Sequence, residues 1–401
     1  MRWLAVVGIG EDGVAGLGEM ARQRIAEADI VFGGARHLEL ARSLIRGEAR
    51  VWETPFARNI EAVLAARGRK ICVLASGDPM HFGVGATLAR HVPAEEMAVF
   101  PAPSAFSLAA ARLGWALQDV VPLSLHGRPL ELVRPHLHHG ARILALTSDE
   151  NGPAALARLL SETGFGGSRL VVLEALGGER ERIREAAAEG FDLADIDPLN
   201  ICAITVEAEA EARSLPLTPG LADALFEHDG QITKRAVRAL TLAALAPRRG
   251  EILWDIGAGS GAIGIEWMLA DPSLRAIAIE ADADRAARIA RNARALGTPD
   301  LAIVTGAAPA ALADLPRPDA IFIGGGGSDA GVMEAAMDAL PVRGRLVANA
   351  VTLEMERLLL DLHARLGGSL SRIDIAQAAP LGGMTGWRPA MPITQWIWVK
   401  P

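Results

Sequence analysis

The 401-residue sequence predicts an α/β protein of two successive units, each built on a largely parallel sheet. Three observations carry that expectation. Residues 251–261 (EILWDIGAGSG) are an apolar run ending in Asp255 and a glycine turn, and a helical segment over 262–270 follows at once. Earlier, a second apolar run over 70–75 (KICVLA) opens into the polar loop Ser76-Gly77-Asp78-Pro79-Met80. Alternating strand, loop and helix is the pattern of parallel sheets, whose ligands gather at the carboxyl ends of the strands. Between the two units, residues 207–219 turn acidic and alanine-rich and end in Pro216 and Pro219. We therefore expect one domain over 1–206, a linker over 207–219 and a second domain over 220–401.

Composition excludes several classes. Half of the residues are hydrophobic, so core is ample. No apolar run reaches the roughly 18–20 residues that span a bilayer, and the apolar start MRWLAVVGIG is too soon broken by glycine for a signal peptide. The expectation is a cytoplasmic protein with no membrane partner. A net charge of −8 argues against a nucleic-acid partner. Cys72 and Cys202 lie in apolar, strand-like runs without metal-ligand spacing, as buried thiols do. No metal site is expected. Lys70, Lys234 and Lys400 are the only lysines, so nearly all positive charge is arginine, which suits a two-pronged grip on carboxylates but also fits a biased composition.

In chain order, residues 3–10 read as a buried strand running into Gly8-Ile9-Gly10-Glu11-Asp12-Gly13. That spells G-x-G-x-x-G, yet the next apolar run, 30–32, ends in Gly33-Gly34 rather than in the acidic residue a dinucleotide site needs. A helix is expected over 17–28. After the 70–75 strand, Asp78 precedes a proline and is kept in a loop. Ser104 stands where it would cap a helix over 105–113. A short strand leads to Ser124-Leu125-His126-Gly127-Arg128. Strands over 142–147, 169–174 and 199–206 and a helix over 153–163 complete the unit. His136, His138 and His139 read as solvated.

In the second half, Thr233 is placed to cap a helix over 234–245. The turn Gly257, Ala258, Gly259, Ser260 and Gly261 lets backbone N–H groups approach a ligand closely. The next apolar run, 276–279, ends in Glu280, whose carboxylate can accept hydrogen bonds from a ribose diol. A helix over 284–296 and strands over 301–305 and 320–323 follow. The latter opens into four glycines that include Gly325 and Gly326; no core demands them, whereas a flat ligand approaching closely would. A strand over 345–350, a helix over 353–366 and a strand near 369–376 precede a glycine-rich crossing over 380–392. The crossing holds Met384, Trp387 and Arg388, either as a lid of aromatic face plus cation or as a mobile loop.

The turn D-x-G-x-G-x-G at 255–261, with Glu280, resembles the first motif of the class I S-adenosylmethionine (SAM) methyltransferases. The start of the chain, with ADIVFGG at 28–34, the Gly77-Asp78-Pro79 loop and the turn before Ser104, resembles the tetrapyrrole (class III) methyltransferases. Gln231-Ile232-Thr233-Lys234 resembles the segment that leads into the SAM loop of the decarboxylating precorrin methyltransferases, and Ser124 to Arg128 resembles the late-acting precorrin methylases. The pairing spans nearly the whole chain and is similar to the bifunctional decarboxylating methyltransferases of cobalamin synthesis.

The resemblance implies a class III fold of two α/β subdomains followed by a class I Rossmann-like fold, and two SAM molecules per chain. Gly10, Gly77, Asp78, Met80 and Ser104 would hold one; Thr233, Gly257 to Gly261, Glu280 and Ala308 the other. Related proteins carry an acidic residue where Ala307 stands, so adenine recognition there would fall to the backbone near Ala308. His126, Arg128, Gly325, Gly326, Met384, Trp387 and Arg388 would face the tetrapyrrole. The implied reaction is methylation of precorrin-6B at carbons 5 (first domain) and 15 (second), with loss of the ring C acetate carboxyl, giving precorrin-8X. The sequence leaves the catalytic residues unassigned and names no general base. Rival readings are methylation of another tetrapyrrole, of RNA or of protein, and a non-catalytic SAM-binding protein. A homo-oligomer is expected.

Overall fold

The computed structural model describes residues 2–401. Two units emerge: Met1–Leu130 with His136–Ala212, and Glu131–Pro135 with Arg213–Pro401. The segment assigned to the linker is not free-standing: Gly166 N–H donates to Glu209 at 2.9 Å, and Leu215 is buried among the second unit's core residues.

The first unit begins with β1 (Leu4–Ile9), α1 (Glu19–Ala26), β2 (Ile30–Gly33), α2 (Ala35–Leu40), β3 (Glu48–Val51), α3 (Ala57–Ala65), β4 (Ile71–Ser76), α4 (Val84–Leu88) and β5 (Met97–Phe100). These strands form a parallel five-stranded sheet in the order β3-β2-β4-β1-β5. Every residue of β1 is buried, as expected of a strand covered on both faces. Val6, Phe32 and Val73 pack on one side, Val7, Val31 and Leu74 on the other.

A second sheet follows helix α5 (Ala105–Leu113). Its strands are β6 (Val121–Ser124), β7 (Arg142–Leu146), β8 (Arg169–Glu174), β9 (Arg182–Ala187) and β10 (Asn200–Thr205), with α6 (Gly152–Glu162) between β7 and β8. The order is β6-β7-β10-β8-β9, parallel only between β6 and β7. Ser104 caps α5 as expected, its Oγ accepting from Ser107 N–H at 3.2 Å. Strands β3 and β9 were not foreseen; each is an edge strand with mostly exposed charged residues, so its apolar signal is weak.

The second unit runs α7 (Arg235–Leu245), β11 (Ile252–Ile256), α8 (Ala262–Leu269), β12 (Arg275–Glu280), α9 (Ala283–Ala295), β13 (Ala302–Thr305), β14 (Ala320–Ile323), α10 (Val332–Ala339), β15 (Arg345–Ala350) and α11 (Leu353–Leu366). Then come β16 (Ser369–Ile373), β17 (Ala376–Leu381), β18 (Met384–Pro389) and β19 (Ile393–Val399). Seven strands form one sheet, β13-β12-β11-β14-β15-β19-β16, parallel as far as β15 and antiparallel on both sides of β19. Leu253, Ala278 and Phe322 face one core, Trp254, Ile279 and Ile323 the other.

Two expectations here need correction. Thr233 does not cap α7: the cap position is Lys234, with no side-chain cap, and the Thr233 carbonyl is taken by the buried Arg238 guanidinium. The crossing over 380–392 is not a loop. Strands β17 and β18 pair as an antiparallel hairpin about Gly382-Gly383, a two-glycine turn of the kind that closes hairpins.

Candidate functional site

In the first unit, a cavity of about 610 Å³ opens at the carboxyl ends of β1 and β4 and is also lined by residues of the second sheet. Four expected ligand contacts, Gly10, Gly77, Asp78 and Ser104, line it, and so does His126. The loops meet because glycine permits it. Gly77 has φ +54°, and a Cβ there would come within 2.9 Å of Pro103 O. A Cβ on Gly8 would lie 1.8 Å from Gly77 O, so the β1 and β4 ends touch backbone to backbone. Asp78 Oδ1 accepts from Met80 N–H at 2.9 Å, which shapes the loop. The Met80 side chain is exposed and is not part of the lining, and neither is Arg128, which is also exposed. His126 donates through Nδ1 to Thr147 O at 3.3 Å; in a neutral ring this leaves Nε2 as an acceptor.

Sequence reasoning missed a polar cluster in the same cavity. Arg36 and His37, at the start of α2, meet Ser76 at the end of β4: Arg36 Nη2 lies 2.9 Å and His37 Nε2 2.8 Å from Ser76 Oγ. Arg36 also pairs with Glu11, which Arg180 reaches at 3.3 Å. Burial, and secondarily the Arg36 charge, holds the His37 imidazole down to about 4, so it is neutral at pH 7. A larger cavity, about 760 Å³, sits at the opposite ends of β1 and β4, among Arg2, Arg24, Arg67, Arg69 and Lys70, and contains none of the expected site residues.

In the second unit, Glu280 closes β12 and is nearly buried. Its Oε2 accepts from Gly259 N–H at 2.8 Å and its Oε1 from Asp282 N–H at 3.1 Å. Each oxygen keeps a lone pair for a further donor. Below the turn, Asp255 is 1% exposed. Its Oδ2 accepts from Gly264 N–H at 3.0 Å, while Oδ1 has no partner. Burial pushes the Asp255 carboxyl up to about 7, the Gly264 hydrogen bond opposes that, and the Glu280 charge adds to it. Gly257 has φ +70°, and a Cβ there would meet Gly325 O at 2.6 Å.

The approach segment is fastened above this turn. Gln231 O is the nearest atom, at 3.6 Å, to a Cβ built on Gly259, so the segment reaches the turn at Gln231, while the Thr233 carbonyl is held by Arg238. Asp229 accepts from Gln231 N–H at 3.1 Å and from Arg285 at 2.9 Å; chiefly that backbone bond, then Arg288, lowers its carboxyl to about 2. Asn292, also unforeseen, donates to Ser260 O at 2.9 Å and to Glu227 O at 3.0 Å, joining turn and approach segment. Ala308 lies partly buried beyond β13.

Three of the four glycines after β14 do have internal causes, contrary to expectation. A Cβ on Gly324 would strike the Phe322 ring at 2.7 Å, and one on Gly327 would strike Met355 Cε at 2.6 Å. Gly326 has φ +69°. A Cβ on Gly325 would make only ordinary contact, 3.8 Å from Gly257 O, and both Gly325 and Gly326 are exposed. The expected lid also fails in its combined form. Met384 and Arg388 fall on one face of β18 and Trp387 on the other, because strand side chains alternate. Aromatic face and cation therefore do not address one ligand together.

The geometry is that of two carboxyl-edge sites, one per unit, each with its own glycine-lined loop. Residues 4–191 match the family of tetrapyrrole (corrin/porphyrin) methylases, and residues 224–400 match the precorrin methyltransferase domain. Over 99% of this chain and 96% of its own length, a Sinorhizobium protein named precorrin-6Y C(5,15)-methyltransferase [decarboxylating] is 66% identical. A Salmonella typhimurium cobalt-precorrin-7 C(5)-methyltransferase is 32% identical over 45% of this chain and 88% of its own. A Pyrobaculum calidifontis protein, named as a probable cobalt-precorrin-6B C(15)-methyltransferase (decarboxylating), is 36% identical over 37% of this chain and 79% of its own. The chain belongs to the family of decarboxylating precorrin-6Y C(5,15)-methyltransferases.

Proposed function

We propose that the protein methylates precorrin-6B at carbons 5 and 15 and removes the carboxyl group of the ring C acetate, giving precorrin-8X, with one SAM bound by each unit. The observation that carries this reading is the presence of two separate loop systems at strand carboxyl ends, around Gly77 and around Gly257. Relatives named for the C(5) and C(15) reactions alone each match less than half of this chain, which supports one methylation per unit. The first unit is assigned to carbon 5, the second to carbon 15 and the decarboxylation.

The residues present fit the methyl donor. In the second unit, Glu280 retains acceptor capacity for a ribose diol, and the unpartnered Asp255 Oδ1 suits a cationic or N–H donor. In the first unit Gly10, Gly77, Asp78 and Ser104 line the cavity. The sulfonium supplies an already activated methyl group. What the chain supplies is alignment of reacting atoms, which is worth up to about 7–11 kcal/mol. His126 at the first cavity, Arg128 two residues beyond it in sequence, and Arg388 on the β17–β18 hairpin are the proposed contacts for substrate carboxylates. The protein is read as cytoplasmic, without a nucleic-acid partner; among the described residues no helix is long and apolar enough to cross a membrane. A homo-oligomer is supported by the hairpin β17–β18, where Leu381, Met384 and Trp387 are all more than two-thirds exposed.

The test is direct incubation of the purified chain with precorrin-6B and SAM. Mass spectrometry should show a product with two added methyl groups and one carbon dioxide lost. Production of S-adenosylhomocysteine only with RNA or a protein substrate would reject the reading.

A further inference from the structure

Replacing hydrogen by methyl on an unsaturated ring carbon releases one proton, and the methyl donor cannot take it. The first cavity needs an acceptor, a group that is unprotonated at working pH and reaches the cavity wall. Aspartate and histidine side chains line it at Asp78, His37, His81 and His126. Asp78 is engaged in shaping its own loop, with Oδ1 on Met80 N–H. His81 lies against the Phe82 and Phe106 rings, with centroids 4.9 and 4.6 Å away. His126 sits on the far wall, held by Thr147 O.

His37 differs from these in being wired to a hydroxyl. Its Nε2 is 2.8 Å from Ser76 Oγ and 3.1 Å from Arg36 Nη2. Arginine has no acceptor, so Nε2 must present its lone pair, and the ring proton is on Nδ1. Arg36 Nη2 also donates to Ser76 Oγ at 2.9 Å. The serine therefore accepts from Arg36 and has its own proton directed at His37 Nε2. Ser76 is exposed to the cavity, immediately before the Gly77-Asp78 loop. This geometry points to Ser76 and His37 as a proton relay for the carbon-5 methylation: the C–H bond of the methylated carbon breaks, its electron pair returns to the conjugated ring, and Ser76 Oγ takes the proton while passing its own to His37 Nε2. The inference rests on the assignment of that methylation to the first unit.

The surroundings suit the task. The charged groups at the relay are Arg36, beside His37, and Glu11, which pairs with Arg36 and is itself reached by Arg180. Glu11 offsets the Arg36 charge when the imidazole becomes cationic. A base held down to about 4 is weak, but a protonated, methylated ring carbon is a strong acid, and such a base is free to accept at neutral pH. His37 Nδ1 is buried without a partner, so imidazolium is not stabilised there, and the proton leaves by the way it came, from Nε2 back through Ser76 Oγ to water in the cavity once product has left.

The experiment uses the full chain, precorrin-6B bearing hydrogen or deuterium at carbon 5, and SAM, with both methylations followed by mass spectrometry. His37→Gln and Ser76→Ala should each slow carbon-5 methylation by roughly 10²–10⁴-fold, the usual worth of a positioned base. They should leave SAM affinity and carbon-15 methylation unchanged and reveal a primary deuterium isotope effect that the wild type lacks. Should His37→Gln fold poorly, Ser76→Ala, which removes only an exposed hydroxyl, decides the matter. Asp78→Arg serves as the lesion of the whole site. If it leaves carbon-5 methylation intact, the assignment to the first unit fails. If it abolishes that step while both relay variants keep the wild-type rate and show no isotope effect, the relay is wrong.

Discussion

Glu280 Oε2 and Gly259 N–H are joined by a 2.8 Å hydrogen bond that ties the tip of β12 to the turn after β11. The same carboxylate holds Asp282 N–H, at the start of α9. One side chain thus fixes two loops of the second site and, in the proposed function, also receives the donor's ribose. Glu280→Ala removes all of these contacts. With hydrogen bonds to charged groups worth about 1.5–3 kcal/mol each, SAM affinity at the second site should fall at least tenfold in calorimetric titration. Glu280→Gln, which keeps one acceptor, should lose less.

Asp255 gives a pH signature. Its folded-state pKa, about 7, lies above the ordinary carboxyl value, so the folded state holds the proton more tightly than the unfolded chain. The stabilisation this provides is complete below the unfolded pKa and is lost as pH rises through about 7. In Asp255→Asn the amide replaces the protonated acid and does not titrate. The stability of wild type relative to Asp255→Asn should therefore decline from pH 4 to pH 8 in denaturant titrations. A constant difference would show that Asp255 does not titrate in this range.

Those residues show where the sequence was legible. The strand–turn–helix–strand succession at the second unit's site follows from local signals: an apolar run, a glycine turn and an acidic strand tip, all within residues 251–280. The first-unit loops at Gly77 and Ser104 were legible for the same reason. The Arg36–His37–Ser76–Glu11 cluster was not, because its hydrogen bonds join residues far apart in sequence; the run Gly33-Gly34-Ala35-Arg36-His37 after a buried strand was the available signal. The glycines at 324 and 327 misled, since the side chains that exclude a Cβ, Phe322 and Met355, cannot be paired with them by pattern. The hairpin was missed although Gly382-Gly383 marks its turn, because β17 and β18 are exposed and lack alternation.

Arg238 is fully buried in α7, and its guanidinium bonds Glu266, Asp223, and the carbonyls of Thr233 and Leu221. Glu266 in turn accepts from Gly220 and Leu221 N–H. The pair staples the approach segment to the sheet's helices. Arg238→Met would leave Glu266 buried without its cation, at a cost of about 3–5 kcal/mol. Calorimetry should show a lowered melting transition together with weakened SAM binding at the second site.

The hairpin predicts assembly. Trp387 and Met384 are 77% and 78% exposed, on opposite faces. Met384 shares its face with its cross-strand partner Leu381, also 72% exposed, and adjoining exposed apolar side chains of this kind mark protein–protein contacts when they form a patch. A Met384→Lys/Trp387→Lys variant should sediment as a smaller species than wild type with an unchanged melting temperature. An identical sedimentation coefficient would remove the hairpin from the interface.

The central claim is that each unit carries out its own methylation, and the product masses from two single variants at limiting SAM test it most directly. Glu280→Ala should yield a macrocycle methylated at carbon 5 with the ring C acetate retained. Asp78→Arg should yield the complementary product, methylated at carbon 15 and lacking one carbon dioxide. If either variant abolishes both methylations, the two loop systems serve a single composite reaction, and the division proposed between them is wrong.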